Sequence, residues 1–220
     1  MYRIKEAFTT LQGEGLQAGR VAVFCRFSKC NLWTGREKDR ATAVCQFCDT
    51  DFVGTDGPNG GVFETPEGLV DHIASLWPGS GSIEESPMVV CTGGEPLLQL
   101  DGALLEAFHQ RHFFVAVETN GTLDAPDGID WLCVSPKAGT GIRIRRCDEL
   151  KLVYPQQGQD PADYDDIEAR ARLLSPMSSP DAGAERDLVR DASTREAIRY
   201  CMAHPRWRLS VQMHKMVGIE

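Results

Sequence analysis

The amino-acid sequence predicts an α/β fold built on a mainly parallel sheet. Short runs with the apolar period of strands alternate with runs that have the period of helices, which is typical of βαβ units. Polar, glycine-containing segments follow several of the strand-like runs. Open α/β sheets and barrels carry their binding sites where parallel strands end. We therefore expect the functional residues in those segments.

The N-terminal part predicts two strands, a loop and a long irregular segment. Residues 2–8 alternate between apolar and polar side chains, and residues 21–27 form a second, more buried strand. The glycines within 11–15 predict a loop between them. Residues 28–64 are rich in Gly, Asp, Thr and charged side chains, and we expect them to be irregular.

The remaining elements follow in order along the chain. Thr65 is a suitable N-cap and Pro66 a suitable first helical residue, which predicts a helix to about Trp77. The later pattern predicts a strand at 87–91, a helix at about 97–111, strands at 113–117, 129–134 and 149–153, helices near 163–173 and 193–203, a loop at 174–180 and a strand near 208–212. We expect this last strand and the tail that follows it to make up a C-terminal region at 206–220.

Length and charge limit the class of protein. A chain of 220 residues suits a single domain, 1–220. Its 23 Lys and Arg against 32 Asp and Glu give a net charge of −9, which opposes binding to a phosphate backbone, so no nucleic-acid partner is expected. The sequence has no signal-peptide pattern and no apolar run long enough to span a bilayer. We expect a cytoplasmic protein with no membrane partner.

Three of the eight cysteines have a spacing that suits one metal centre. Cys30 and Cys45 enclose fourteen residues, and Cys45 and Cys48 enclose two. Structural zinc sites and closed iron–sulfur clusters usually take four ligands, so three thiolates would leave one iron open. Cys25 could complete a zinc set, although it shares a strand face with apolar neighbours, and zinc stays open here. The other cysteines are interpreted as small buried hydrophobes: Cys91, Cys133, Cys147 and Cys201.

A second signal is the sequence Cys-Thr-Gly-Gly-Glu-Pro at 91–96, directly after an apolar strand. Adjacent glycines let the backbone come close to a bulky group. Three cysteines followed by this motif resemble the radical S-adenosylmethionine (SAM) superfamily. In that superfamily three cysteines hold a [4Fe–4S] cluster, the fourth iron binds the amino and carboxylate groups of SAM, and the glycine-rich strand end contacts the SAM amino group. Its common spacing is C-x3-C-x2-C, whereas Thr34 occupies the second position here and the first gap is longer.

Seven motifs, spread in order over nearly the whole chain, resemble one subgroup, the 7-carboxy-7-deazaguanine synthases of queuosine and 7-deazapurine biosynthesis. They are TLQGEG (10–15), FCRFSKCNLW (24–33), CQFCDTDF (45–52), CTGGEPLLQ (91–99), ETNGT (118–122), VSPKAG (134–139) and LSVQMHKMVGIE (209–220). The resemblance implies a lyase-type enzyme. It would form a 5′-deoxyadenosyl radical from SAM and convert 6-carboxy-5,6,7,8-tetrahydropterin to 7-carboxy-7-deazaguanine with loss of ammonia. It also implies Mg2+ and an electron donor such as a flavodoxin.

The resemblance further implies roles for individual residues. The cluster would be held by Cys30, Cys45 and Cys48, and Mg2+ by the Thr50 hydroxyl, with Asp49 or Asp51 as carboxylate alternatives. SAM would be bound by Phe47, Asp49, Gly93, Gly94, Glu95, Ser135 and Lys137. The carboxypterin would be bound by Leu11, Gln12, Gly13, Glu14, Arg26 and Thr92, with His214 as a weaker candidate. Amide and carboxylate groups suit the pyrimidine edge, and a guanidinium suits the substrate carboxylate.

We therefore expect an incomplete TIM-type β/α barrel whose irregular cluster loop (28–64) covers the C-terminal face. A complete barrel usually takes about 250 residues, and too few strand–helix units are present here. An open barrel edge invites coverage by a partner, so a homodimer is expected.

The sequence is also compatible with two other classes of protein. An activating enzyme that forms glycyl radicals on a partner protein would share the cluster and the Gly-Gly-Glu-Pro motif, but would not need Gln12, Glu14 and Arg26. A zinc-stabilised binding module without catalysis would need only the cysteines.

Overall fold

The computed structural model describes residues 1–79, 86–179 and 187–219. The strands are β1 (Tyr2–Leu11), β2 (Val21–Phe27), β3 (Gly61–Phe63), β4 (Met88–Gly93), β5 (Phe114–Thr119), β6 (Trp131–Val134), β7 (Arg146–Tyr154), β8 (Glu168–Pro176) and β9 (Trp207–Leu209). The α-helices are α1 (Pro66–Ser75), α2 (Gly102–Gln110), α3 (Leu188–Ala203) and α4 (Met213–Val217). Short 3-10 helices lie at Gly15–Gln17, Glu37–Thr42, Pro96–Leu98 and Pro161–Tyr164.

These strands form a single open sheet in the order β3-β1-β2-β4-β5-β6-β7-β8-β9. β1 pairs antiparallel with both β2 and β3, and every later neighbouring pair is parallel. From β4 to β9 the spatial order follows the chain order. The predicted α/β class with a mainly parallel sheet is confirmed. Its outer strands, β3 and β9, are not paired with each other, so the sheet does not close.

Helices connect only some of the parallel strands. α1 and α2 precede β4 and β5, and α3 lies between β8 and β9. The connections between β5, β6, β7 and β8 are fully described and contain no α-helix. Regular alternation of strand and helix therefore holds for part of the chain only.

Several element predictions agree with the structure. β2 has the predicted bounds, and α1 begins at Pro66 after the Thr65 N-cap, whose side chain accepts from the Gly68 amide. The helix expected at 97–111 is a 3-10 turn followed by α2, because the Asp101 carboxylate caps Leu104 N at 2.9 Å and begins a new helix there. The short strand β3 was not expected within the irregular segment; it pairs with the start of β1.

The helix predicted near 163–173 is wrong, because this stretch enters β8. Its Ala, Arg, Glu and Leu residues have high helix propensity, but pairing with β7 outweighs that preference. The loop predicted from residue 174 begins later, since β8 runs to Pro176, and its last residue, 180, lies outside the described part. The helix predicted at 193–203 starts earlier, at Leu188, and the last strand is shorter than expected.

The two faces of the sheet have different surroundings. On one face, Cys25 of β2 and Cys91 of β4 are buried in a core shared with α1 and α2, and a second core packs α3 against β7, β8 and β9 around Trp207. Because alternate residues of a strand point to opposite faces, Phe24, Arg26 and their neighbours face the other way, into a cavity. No helix in the described part of the chain is both long and apolar enough to cross a membrane.

Candidate functional site

A cavity of about 500 Å³ lies at the carboxyl ends of the parallel strands. This volume is within the range of small-molecule sites, and strand ends are where open α/β sheets bind ligands. The strand ends that line it carry Thr92 and Gly93 (β4), Glu118 and Thr119 (β5), Ser135 (after β6), Val153 (β7) and Ser175 and Pro176 (β8). Further lining residues come from β1 and the segment 12–14, from β2, from the segments 30–52 and 212–215, and from single positions such as Lys137 and Lys151.

The three cysteines with metal-type spacing all line this cavity. None is in a disulfide. Burial raises the pKa of Cys30, whereas the hydrogen bond from the Cys45 thiol lowers the pKa of Cys48 and raises that of Cys45. Such a pair delivers a thiolate, the form of cysteine that binds metals. The donor set therefore fits a thiolate-ligated group.

The structure also bears on the zinc alternative. Cys25 is fully buried in the core on the opposite face of β2, so the four-cysteine set is not assembled at the cavity. Within the described residues, no three His, Cys, Asp or Glu side chains are grouped closely enough to hold one metal ion. A four-iron cluster is larger than one ion, and its thiolates bind separate irons, so they need not meet at a point.

Gly93 and Gly94 line the cavity where β4 ends. A Cβ atom on Gly93 would lie 2.3 Å from Phe27 O, and one on Gly94 would lie 2.2 Å from Lys29 O and 2.8 Å from Cys30 Cβ. Gly93 also has φ of +147°, which favours glycine. The glycines therefore let the segment that carries Cys30 pack directly against the end of β4.

Glu95 is the one expected site residue that does not line the cavity. Its buried carboxylate accepts from Thr119 Oγ1 at 2.7 Å, Asn120 N at 2.8 Å and Leu97 N at 3.0 Å. Burial raises its pKa despite these hydrogen bonds. Glu95 thus ties the end of β4 to the end of β5 and does not face the cavity.

The other residues expected to bind SAM line one wall of the cavity. They are Phe47, Asp49, Ser135 and Lys137. Lys137 Nζ donates to Ser135 O at 2.5 Å and to Ser135 Oγ at 2.9 Å. Asp49 pairs with Lys215 of α4 at 2.5 Å, which joins the cysteine-bearing segment to the C-terminal segment. Thr50 also lines the cavity, as does Asp51, which pairs with Lys5 at 3.0 Å.

The residues expected to bind the carboxypterin line the cavity from the end of β1, the segment that follows it, β2 and β4: Leu11, Gln12, Gly13, Glu14, Arg26 and Thr92. Arg26 donates through Nε to Glu6 Oε1 at 2.7 Å. This contact uses only the Nε–H group of the guanidinium. The two terminal nitrogens could therefore bind a carboxylate bidentately.

Glu14 belongs to a buried charge cluster that sequence reasoning did not identify. Lys151 Nζ lies 2.8 Å from Glu14 Oε2 and 2.9 Å from Glu118 Oε2. Burial alone would raise the pKa of Glu14, but Lys151 and a hydrogen bond from Gln212 hold it at about 2. Burial would likewise lower the pKa of Lys151, but its acidic neighbours raise it well above the ordinary value. Glu14 is thus held ionised as a hydrogen-bond acceptor.

A signal for this cluster is present in the sequence. In β7 the charged residues Glu149 and Lys151 alternate with the apolar residues Leu150 and Leu152, so two charged side chains share one face of a buried strand. Buried charges need partners. Glu149 also accepts from Leu16 N at 2.7 Å and from Trp131 Nε1 at 3.0 Å.

The C-terminal segment also contributes more than expected. Gln212, His214 and Lys215 line the cavity, and Met213 N donates to Gly13 O at 2.9 Å. His214 packs so closely on Gly13 that a Cβ there would lie 2.2 Å from its Nδ1. Burial lowers the pKa of His214. His214, a weak candidate from sequence, is therefore part of the wall.

Fold and site together define an α/β protein that binds small molecules at the carboxyl ends of parallel strands, next to a cysteine-rich segment. No family model matches the chain. Full-length comparison with known proteins is more informative. The chain is 55% identical to the 7-carboxy-7-deazaguanine synthase of Caulobacter vibrioides and 55% identical to that of Bordetella pertussis, each over 99% of both chains. The crystal structure of QueE from Escherichia coli is similar, with a TM-score of 0.65, 25% identity and coverage of 97% of this chain and 94% of that one.

The chain belongs to the 7-carboxy-7-deazaguanine synthase family, and it is an enzyme. The family resemblance found in the sequence motifs is confirmed.

Proposed function

We propose that this enzyme converts 6-carboxy-5,6,7,8-tetrahydropterin to 7-carboxy-7-deazaguanine with loss of ammonia, in queuosine or 7-deazapurine biosynthesis. One observation carries the proposal: three unpaired cysteines and a polar set suited to a carboxypterin line the same cavity. The names of the full-length relatives support the same reaction.

Cys30, Cys45 and Cys48 would hold a [4Fe–4S] cluster on the cavity wall. When bound, this cluster would supply the electron that splits SAM into methionine and the 5′-deoxyadenosyl radical, and that radical would take a hydrogen atom from the substrate. The chain's own task is to hold both molecules in contact and to exclude water. The lowered pKa of Cys48 favours its thiolate form.

The wall around Lys137 would bind SAM. Lys137 offers a cation to the SAM carboxylate, and Ser135 offers a hydroxyl. The carbonyl groups of Gly93 and Gly94 would accept from the SAM amino group, and Phe47 would pack against the adenine. Glu95, which we expected to contact SAM, is better suited to fix the backbone that does so, because its carboxylate hydrogen-bonds inside the protein.

The lining residues that follow β1 or lie in β2 and β4 would bind the carboxypterin. Gln12 and the ionised Glu14 match the donor and acceptor pattern of its pyrimidine edge, with Leu11, Gly13 and Thr92 completing the surface. Arg26, steadied by Glu6, would bind the carboxylate. Thr50 would offer a hydroxyl ligand to Mg2+, with substrate oxygens and waters completing an octahedron.

At the level of the whole chain, we propose one domain of incomplete TIM-type barrel architecture, with the cluster loop covering its C-terminal face. A flavodoxin-like donor would supply the electron, and two chains would form a homodimer in the cytoplasm.

Anaerobic turnover tests the reaction. The iron-loaded enzyme is incubated with 6-carboxy-5,6,7,8-tetrahydropterin, SAM, Mg2+ and a reductant, and the product is identified by mass. We expect 7-carboxy-7-deazaguanine with SAM needed only in catalytic amount, and no product from the Cys48→Ser variant. Unchanged pterin with the fully loaded enzyme would refute the proposal.

The carboxypterin wall separates this proposal from a glycyl-radical activating enzyme. Such an enzyme would act on a partner protein and has no need of Gln12, Glu14 and Arg26. We expect Arg26→Ala to weaken carboxypterin binding at least tenfold in calorimetry, while Cys201→Ala, far from the cavity lining, leaves it unchanged.

A further inference from the structure

The segment between Cys30 and Cys45 is longer than in the common superfamily spacing. Lengthening a loop costs little entropy by itself, since closure cost grows slowly with length. It does, however, leave the Cys45–Cys48 turn far along the chain from Cys30. No α-helix or strand in the described chain contains this turn. Another contact has to fix its geometry.

Arg40, within the 3-10 helix of the long segment, makes that contact. Its Nη1 donates to Gln46 O at 2.7 Å and to Cys48 O at 2.9 Å. Gln46 lies between the two cysteines, so one guanidinium nitrogen binds two carbonyl groups of the Cys-x-x-Cys turn.

The guanidinium is itself held on two sides. Glu37 accepts from Nε at 2.7 Å and from Nη2 at 2.5 Å, a bidentate pair. The guanidinium also lies over the Trp33 ring, 4.2 Å from its centroid. Trp33 is buried and packs edge-on against Phe52, so the stack is anchored in the protein. Arginine presents this planar fork and stacking surface, and lysine does not.

We propose that Arg40 is a positioning residue that clamps the Cys45–Cys48 turn in its ligand-ready shape, and that the long segment supplies this clamp. The Cys45–Cys48 turn is then ordered before a cluster is loaded, and its conformation does not depend on the cluster. The positive charge 2.9 Å from Cys48 O also favours added negative charge at the neighbouring thiolate. The inference rests on the proposed cluster only for its iron readout, and the order of the turn can be measured without it.

The test compares Arg40→Ala with Arg36→Ala, which removes the same charge from the same segment. Arg36 is exposed, and no side-chain hydrogen bond or ion pair joins it to the described residues. In the metal-free protein, we expect amide hydrogen exchange of residues 44–50 to quicken at least tenfold in Arg40→Ala and to stay unchanged in Arg36→Ala. In the iron-loaded protein, we expect Arg40→Ala to lose iron to a chelator at least tenfold faster, with a more negative reduction potential.

Two further variants keep the test decisive if Arg40→Ala folds poorly. Arg40→Lys retains the charge but not the fork, and we expect faster exchange of residues 44–50 in it as well. Glu37→Gln retains the guanidinium and weakens its support, so an intermediate effect is expected. Exchange of the turn at the wild-type rate in the Arg40 variants, or equal quickening in Arg36→Ala, would overturn the clamp. If neither the wild type nor any variant can be loaded with iron, the proposed cluster is refuted. The amide hydrogen exchange of residues 44–50 would still decide whether Arg40 orders the turn.

Discussion

Lys151 balances the negative charge of two acidic residues that line the cavity. Two carboxylates, Glu14 and Glu118, lie within 3 Å of its ammonium group, and the lysine is only 7% exposed. Without this cation, burial would raise the pKa of Glu14. Lys151 therefore keeps Glu14 ionised, the form in which both carboxylate oxygens accept hydrogen bonds.

Lys151→Met keeps the length of the side chain and removes its charge. Since breaking a buried ion pair leaves uncompensated charge, we expect the free energy of unfolding to fall by about 3–5 kcal/mol in urea titrations. We also expect the pKa of Glu14 to rise, so that KM for the carboxypterin increases at neutral pH and falls again at higher pH. Lys38→Met, an exposed lysine in the long segment, is the control and should match the wild type. A pH-independent KM in Lys151→Met would contradict this role.

Glu14 also makes the free energy of unfolding depend on pH in the acidic range. Its pKa is about 2 in the folded chain against an ordinary 4.5, so its stabilising contribution is complete above about pH 4.5 and is lost as the pH falls toward 2. Each pKa unit corresponds to about 1.4 kcal/mol, which makes this contribution about 3 kcal/mol. Unfolding free energies of wild type and Glu14→Gln, measured between pH 5 and pH 3, should decline more steeply for the wild type. Parallel curves would rule out the lowered pKa.

The turn at the end of β4 is a structural junction, because three chain segments meet there. Gly94 N donates to Phe27 O at 3.2 Å, and Glu95 N donates to Lys29 O at 2.9 Å. The glycines admit the Cys30 segment, and Glu95 fixes the end of β5. The motif thus holds the ends of β4 and β5 and the Cys30 segment together.

Gly94→Ala tests this packing. The added methyl group would meet backbone, which cannot move without displacing Cys30, so we expect a loss of at least 2 kcal/mol of unfolding free energy, about the cost of overpacking. Gly102→Ala is the matched control, because a Cβ there meets nothing within 4 Å at the start of α2. It should be neutral or slightly stabilising. Equal thermal midpoints for the two variants would show that Gly94 is not needed for close approach.

Elements with local signals could be predicted, and elements set by pairing could not. β2 and the Thr65 cap depend on alternation and on a side chain that acts within its own turn. β8 has the composition of a helix, and its pairing with β7 and β9 makes it a strand. At the site, the cysteines and the glycines follow from motif spacing. The partners of Glu14 and Arg40 do not, because they depend on how distant or irregular segments fold together.

The open sheet is the dominant feature of the whole molecule. β9 is a three-residue strand at one edge, and both its last residue, Leu209, and the nearby Val211 are apolar and exposed. Exposed edges of this kind are usually covered. We expect sedimentation equilibrium at micromolar concentration to give twice the mass of the 24.3-kDa chain. A single species of 24.3 kDa at the concentrations of the turnover assay would exclude the proposed homodimer.

In the proposed site, three thiolates leave one iron of a cluster open to SAM. Electron paramagnetic resonance of the anaerobically loaded, reduced protein, recorded with and without SAM, can detect that open iron. We predict a [4Fe–4S] signal that changes when SAM is added and is absent from Cys30→Ser, Cys45→Ser and Cys48→Ser. A cluster signal that SAM leaves unchanged, or a colourless protein that retains zinc and no iron, would contradict the account.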